Sequence, residues 1–109
     1  MTAAVRGVLG QLAPAGSVLS TLYTVPALRN ATGRVIISNR GATDTNFRVS
    51  VGIDGAADDN AQYIAYDKPI EGNDTGSTIA FMIGNDDVLR VLAGNANLSF
   101  SFTGIEQDD

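Results

Sequence analysis

The side chains that most often carry catalysis are missing from this 109-residue chain, which contains no His and no Cys. Ser-His-Asp and Cys-His arrangements need an imidazole as proton carrier, so the usual pairs of nucleophile and base are excluded. A pair of carboxylates could still hydrolyse a glycosidic bond. Because Asp also stabilises turns by accepting hydrogen bonds from nearby backbone, solvated turn residues are the preferred interpretation. The carboxylates in predicted loops are Asp54, Asp58, Asp59, Asp74, Asp86 and Asp87.

Two of these loops, residues 54–60 and 84–87, concentrate the hard oxygen ligands that calcium prefers. Neither loop has the alternating ligand spacing of an EF-hand. A structural calcium ion therefore remains an alternative, and the sequence predicts no catalytic residue, no cofactor and no metal site.

Arginine is used six times and lysine once, at Lys68. Arg is enriched at protein interfaces because its planar guanidinium makes several hydrogen bonds of fixed geometry. Three of the arginines lie in predicted strands opposite apolar residues, which places them on an outer sheet surface. A solvated face whose arginines pair with nearby Asp is the alternative. The predicted interface residues are Arg6, Arg34, Arg48, Arg90, Tyr63 and Tyr66.

The elements that must position these residues are short strands with period-2 alternation. In residues 45–53, Phe47, Val49, Val51 and Ile53 alternate with polar residues or Gly, which predicts one buried face. In the predicted strand at 77–83, Ile79, Phe81 and Ile83 are likewise expected to share a buried face. The predicted strands are residues 5–12, 17–25, 31–39, 45–53, 63–68, 77–83, 88–93 and 97–103. Loops of hairpin size at 40–44 and 94–97 predict antiparallel pairing of the third strand with the fourth and of the last two strands.

Eight short strands without a helical pattern between them predict an all-β fold, a single antiparallel β-sandwich of jelly-roll type with about 8 strands. A seven-stranded immunoglobulin-like sandwich is the main alternative, although its usual Cys and Trp markers are missing. The expected organisation is an N-terminal arm or first strand at 1–16, the sandwich at 17–106 and an acidic tail at 107–109.

A net charge of −5 argues against a phosphate-binding surface, so no nucleic-acid partner is expected. No run approaches the roughly 20 apolar residues of a membrane-spanning helix, and the N-terminus lacks the pattern of a signal peptide. The sequence therefore predicts neither membrane insertion nor secretion.

Five segments together resemble small virion structural proteins of tailed bacteriophages, over roughly residues 17–106. Their order along the domain carries the resemblance, because no single motif is diagnostic. The segments are Leu-Tyr-Thr-Val-Pro-Ala at 22–27, Ile-Ser-Asn-Arg-Gly-Ala-Thr at 37–43, Tyr-Ile-Ala-Tyr-Asp-Lys-Pro-Ile at 63–70, Asn-Asp-Thr at 73–75 and Ala-Asn-Leu-Ser-Phe-Ser-Phe-Thr-Gly-Ile-Glu at 96–106.

The resemblance implies a non-enzymatic β-sandwich subunit, either a capsid decoration (cement) protein or a component of the neck, tail or baseplate. Its implied partners are other virion proteins and further copies of itself, with a trimer favoured, and its implied location is the virion, assembled in the host cytoplasm. Residues 1–15 could then reach a neighbouring subunit. Two other functions stay open: a receptor- or carbohydrate-binding module with a pocket near Tyr23, Tyr63 or Tyr66, and a hydrolase that uses Asp alone.

Overall fold

The computed structural model describes residues 3–109 and folds them into nine β-strands and two short 3₁₀ turns. No helix in this range is long and apolar enough to cross a membrane. The turns are Ile53–Gly55 and Asn60–Gln62. The strands are β1 (Val5–Leu12), β2 (Ser20–Thr24), β3 (Arg29–Asn39), β4 (Thr45–Gly52), β5 (Tyr63–Ile70), β6 (Thr75–Ser77), β7 (Phe81–Ile83), β8 (Val88–Ala93) and β9 (Leu98–Asp108).

The strands form two antiparallel sheets. The first sheet has the order β1-β9-β3-β6, with β7 also paired to β3, and the second has the order β2-β8-β4-β5. The pairs are nested, since β1 lies beside β9, β2 beside β8, β3 beside β6 and β7, and β4 beside β5. Such nesting is a long hairpin rolled into two layers, which is a jelly roll. The predicted all-β antiparallel sandwich is therefore confirmed, with β6 and β7 as two pieces of one edge strand.

Two predicted strand pairings are wrong. β3 and β4 belong to different sheets, as do β8 and β9, so the loops at 40–44 and 94–97 cross from one layer to the other. Alternation of apolar residues shows that a strand has a buried face, but both layers of a sandwich present such faces to the same core. Asn39 holds the first crossover in place, because its buried side chain donates to the carbonyls of Thr43 and Glu71 and accepts from the Gly41 amide.

The core lies between the two sheets and consists of their inward-facing apolar side chains. Phe47 and Phe100 meet edge to face across it with ring centroids 6.4 Å apart. Two predicted core residues lie outside it, since Ile53 is 72% exposed and Ile79 is 79% exposed. The first follows the end of β4. The second lies in the interruption between β6 and β7, where Thr78 Oγ1 accepts a hydrogen bond from the Val35 amide.

Both ends of the described chain lie in the first sheet. β1 pairs with β9 of its own chain along its whole length, as a strand and not as an arm extended away from the sandwich. At the other end, β9 continues through Asp108, so two residues of the expected tail are part of the last strand. β3 likewise begins earlier than predicted, at Arg29, which is buried.

Candidate functional site

The six predicted interface residues lie on opposite sides of the sandwich. Strand register and alternation place four of them on the outer face of the second sheet: Arg48, Arg90, Tyr63 and Tyr66. The other two, Arg6 and Arg34, lie on the outer face of the first sheet. The sequence therefore identified residues from two surfaces and did not show that they are separate.

Three of these four predicted residues, Arg48, Tyr63 and Tyr66, form a cluster together with Asp67, which we call the Tyr–Arg cluster. The guanidinium of Arg48 lies 4.0 Å from the centroid of the Tyr66 ring. It also donates two hydrogen bonds to Asp67, from Nε at 2.7 Å and from Nη2 at 3.1 Å. The rings of Tyr63 and Tyr66 meet edge to face at 5.1 Å. A cation–π contact and a bidentate ion pair thus fix Arg48 in one orientation.

Irregular pairing of β5 with β4 creates this cluster. The register moves from Phe47 opposite Lys68 to Val49 opposite Ala65, so β5 carries an extra residue at Tyr66 and Asp67. Asp67 has a φ of 50°, in the left-handed region that Asp tolerates better than most residues. A bulge redirects the side chains beside it, and here it turns Tyr66 and Asp67 toward Arg48. Because β5 is an edge strand, the bulge also hinders uncontrolled pairing with other chains.

The segment 53–62 lies over the outer face of the second sheet next to the cluster. Arg90 Nη1 donates to the Ala56 carbonyl at 2.9 Å, and the Tyr63 hydroxyl donates to Asp58 Oδ1 at 2.8 Å. Asp87 accepts from the Asp54 amide at 2.9 Å. These contacts tie the first half of the segment to the sandwich. Ser50, which lies opposite Tyr63 of β5 and Arg90 of β8, is buried although it belongs to the outward-facing set of β4.

Hydrogen bonds, charge and burial shift the pKa values of three groups in this region. The hydrogen bonds from Arg48, assisted by its charge and opposed by some burial, hold the pKa of Asp67 below its usual value. The same hydrogen bonds raise the pKa of the Arg48 guanidinium, so this residue stays charged. Burial, followed by the hydrogen bond to Asp58, raises the pKa of Tyr63, which therefore remains a neutral hydrogen-bond donor.

Replacing Arg48 with Gln is expected to raise the pKa of Asp67 toward its usual value, because the guanidinium hydrogen bonds that lower it are lost. A depressed pKa in the folded state stabilises the protein above the unfolded-state pKa, and that stability is lost as the pH falls through the folded-state pKa. In Arg48→Gln, the free energy of unfolding should therefore fall less steeply as the pH is lowered than it does in the wild type. NMR titration of the Asp67 carboxyl measures the shift, with Arg34→Gln on the opposite face as the control. An unchanged Asp67 titration in Arg48→Gln would contradict the assignment.

The carboxylates considered for catalysis or calcium act mainly on nearby backbone. Asp59 Oδ2 accepts from the Ala61 amide, Asp74 Oδ1 from the Thr75 amide and Asp87 Oδ2 from the Gly84 amide. These contacts match the predicted role in turns. Within residues 3–109, the acidic side chains form no group of three or more that could hold a metal ion.

A second polar cluster, which the sequence does not reveal, joins the sheets inside the sandwich. Arg29 is 6% exposed and donates to Glu106 Oε2 at 2.7 Å, to Asp108 Oδ1 and to the Ala3 carbonyl at 3.0 Å. The Tyr23 hydroxyl, from β2 in the other sheet, donates to Glu106 Oε1. Burial, together with the neighbouring carboxylate, raises the pKa of Tyr23 and keeps it neutral. Because its members are about eighty positions apart along the chain, local spacing carries no signal for this cluster.

Comparison with known proteins shows the fold. No protein-family model matches the chain, and no curated protein matches its sequence. A chain in the structure of infectious bursal disease virus, Gx strain, matches with a TM-score of 0.53 and 12% identity, over 95% of this chain and 31% of the viral one. Two crystal structures of a pentameric capsid protein from metagenomic phage sequences match with TM-scores of 0.44 and 0.46, each at 14% identity over 94% of this chain, and 61% and 62% of theirs.

The chain thus spans less than two thirds of the length of each of these structures. At 12% identity the viral match establishes a shared β-fold and not a shared function.

Proposed function

We propose that this chain is a non-enzymatic structural subunit of a bacteriophage virion that assembles through its sandwich surfaces. The observation that carries the proposal is the nested jelly-roll topology of this chain, and the structural match of 95% of its length to a chain of a virus structure agrees with it. Jelly rolls are a common architecture of viral capsid domains. The resemblance of residues 17–106 to phage virion proteins supports the same role.

The subunit acts either as a capsid decoration protein or as a component of the neck, tail or baseplate. Its partners are other virion proteins, such as the major capsid protein, and further copies of itself, with a trimer as the expected state. Assembly in the host cytoplasm follows from this role. The described surface supports it, since two separate outer faces carry the predicted interface residues.

Quantitative mass spectrometry of purified phage particles tests the proposal by comparing the copy number of this protein with that of the major capsid protein. Copy numbers near that of the capsid protein indicate decoration, and a far smaller number indicates a neck, tail or baseplate position. Absence of the protein from the particles would overturn the virion function.

A receptor- or carbohydrate-binding module is the second candidate function. It is favoured by an open hollow on the second sheet that Asn60, Tyr63 and Tyr66 line. Exposed tyrosine rings offer apolar faces and a polar edge, which suit a sugar ring. Tyr23 takes no part, because its ring packs 5.3 Å from Phe102 inside the sandwich. Glycan binding that Tyr66→Ala abolishes would support this candidate.

A further inference from the structure

The outer face of the first sheet carries positive charge that nothing in the described chain neutralises. Its two central rows run across three strands, with Arg6 beside Ile105 and Thr32, and Val8 beside Thr103 and Arg34. We call these six residues the basic face. Arg6 and Arg34 are exposed and form no ion pair within residues 3–109.

The composition of the basic face is typical of a protein interface and not of a solvated surface. Val8 is 55% exposed, and Met82 on the neighbouring strand is 72% exposed. The two rows beyond the basic face, through Ser101 and Ser99, contain only Gln, Ile, Ser and Thr. The six residues of the basic face include two Arg and no Lys, Asp or Glu, and Arg is enriched while Lys, Asp and Glu are depleted at the core of protein interfaces.

The opposite side of the molecule has the opposite charge. We call it the acidic face and define it by Asp54, Asp58, Asp59 and Asp67 with Arg48 and Arg90. The acidic face holds four carboxylates and two guanidinium groups. Asp54, Asp58 and Asp59 are exposed on the segment 53–62. Arg48 is already paired with Asp67, and Arg90 is hydrogen-bonded to the Ala56 carbonyl. Asp54 and Asp59 are left without a guanidinium partner within residues 3–109.

We infer that copies of this chain assemble head to tail, with the basic face of one copy on the acidic face of the next. The inference rests on the structural-subunit function proposed above. Charge complementarity selects a second copy as the occupant, because either face placed on itself would bring like charges together. Contact between two different faces is a heterologous interface, which generates an open filament where the rotation between copies does not close and a closed ring where it does. Such a ring is the form that a subunit at a symmetry axis or in a tail requires.

Sedimentation velocity of the purified chain at about 50 mM and about 500 mM NaCl tests the inference, since screening weakens contacts between exposed charges. Wild-type protein should self-associate at low salt, and Arg34→Glu should weaken this association by about tenfold or more. Asp54→Lys on the acidic face should have a similar effect. The control is Arg40→Glu, which makes the same charge change on an exposed loop residue outside both faces.

Mixing the two defective variants gives the decisive result. Arg34→Glu and Asp54→Lys each remove the net charge of one face and leave the other face intact, so only the mixture brings an intact acidic face and an intact basic face together on different chains. Recovery of association in the mixture supports head-to-tail contact. The inference would be overturned if the wild-type protein is monomeric or if Arg34→Glu self-associates as strongly as the wild type. It would also be overturned if two folded variants show no recovery of association when mixed. None of these outcomes changes the copy number in virions, so the proposed function is tested separately.

Discussion

Replacing Gly104 with alanine is expected to destabilise the sandwich by about 3 kcal/mol or more, or to prevent folding. Gly104 lies in β9 directly opposite Gly33 in β3. These two strands are at the centre of the first sheet. A Cβ atom at Gly104 would lie 1.9 Å from the Thr32 carbonyl oxygen and 2.7 Å from the Gly33 Cα. Both neighbours are backbone atoms, so relief requires the strands to separate and to lose ladder hydrogen bonds.

Gly76→Ala is the matched control for this prediction. Gly76 lies in β6 at the edge of the same sheet, and the nearest atom to its added Cβ is Ile70 Cδ1 at 3.9 Å, an ordinary contact. The two variants make the same chemical change and reduce the freedom of the unfolded chain equally. Urea unfolding followed by circular dichroism should show a large loss for Gly104→Ala and little change for Gly76→Ala. Equal midpoints for the two variants would contradict the close approach of β3 and β9.

Gly104 also shows why the end of the last strand could not be predicted. Gly is depleted in strands and common in turns, so the pattern at 97–103 favours a strand that stops before it. The structure continues β9 for five residues beyond Thr103, because Gly at this position lets two central strands approach closely. Composition does not distinguish a Gly that ends a strand from a Gly that lies against another backbone.

The buried faces were predictable and the assignment of strands to sheets was not. Phe47 and Val49 in β4, and Phe100 and Phe102 in β9, are buried as their alternation predicts. The same alternation does not say whether β3 and β4 are neighbours in one sheet or face each other across the core. For the Tyr–Arg cluster, residue types identified Arg48, Tyr63 and Tyr66, but their meeting depends on a bulge in β5, which the sequence does not indicate.

Replacing Arg29 with alanine is expected to destabilise the protein by about 3–5 kcal/mol, as is usual when one partner of a buried ion pair is removed. The Arg29 side chain is 8% exposed and that of Glu106 is 12% exposed. Without the guanidinium, Glu106 keeps only the Tyr23 hydroxyl as a side-chain partner in the described contacts. A carboxylate that is shielded from water and unpaired opposes folding. Chemical denaturation at neutral pH measures the loss, and Arg40→Ala on an exposed loop is the control.

The double variant Arg29→Met with Glu106→Leu separates the cost of an unpaired charge from the value of the pair itself. Replacing a buried ion pair by apolar residues of similar volume is often neutral or stabilising, whereas breaking it by a single change is costly. The double variant should therefore be more stable than Arg29→Ala, although Asp108 and Tyr23 each lose a partner. If the double variant is as unstable as the single one, the second polar cluster, formed by Arg29, Glu106, Asp108 and Tyr23, positions the strand ends through its hydrogen bonds to both sheets. If it is more stable, the apolar packing between the sheets is sufficient to close this end of the sandwich.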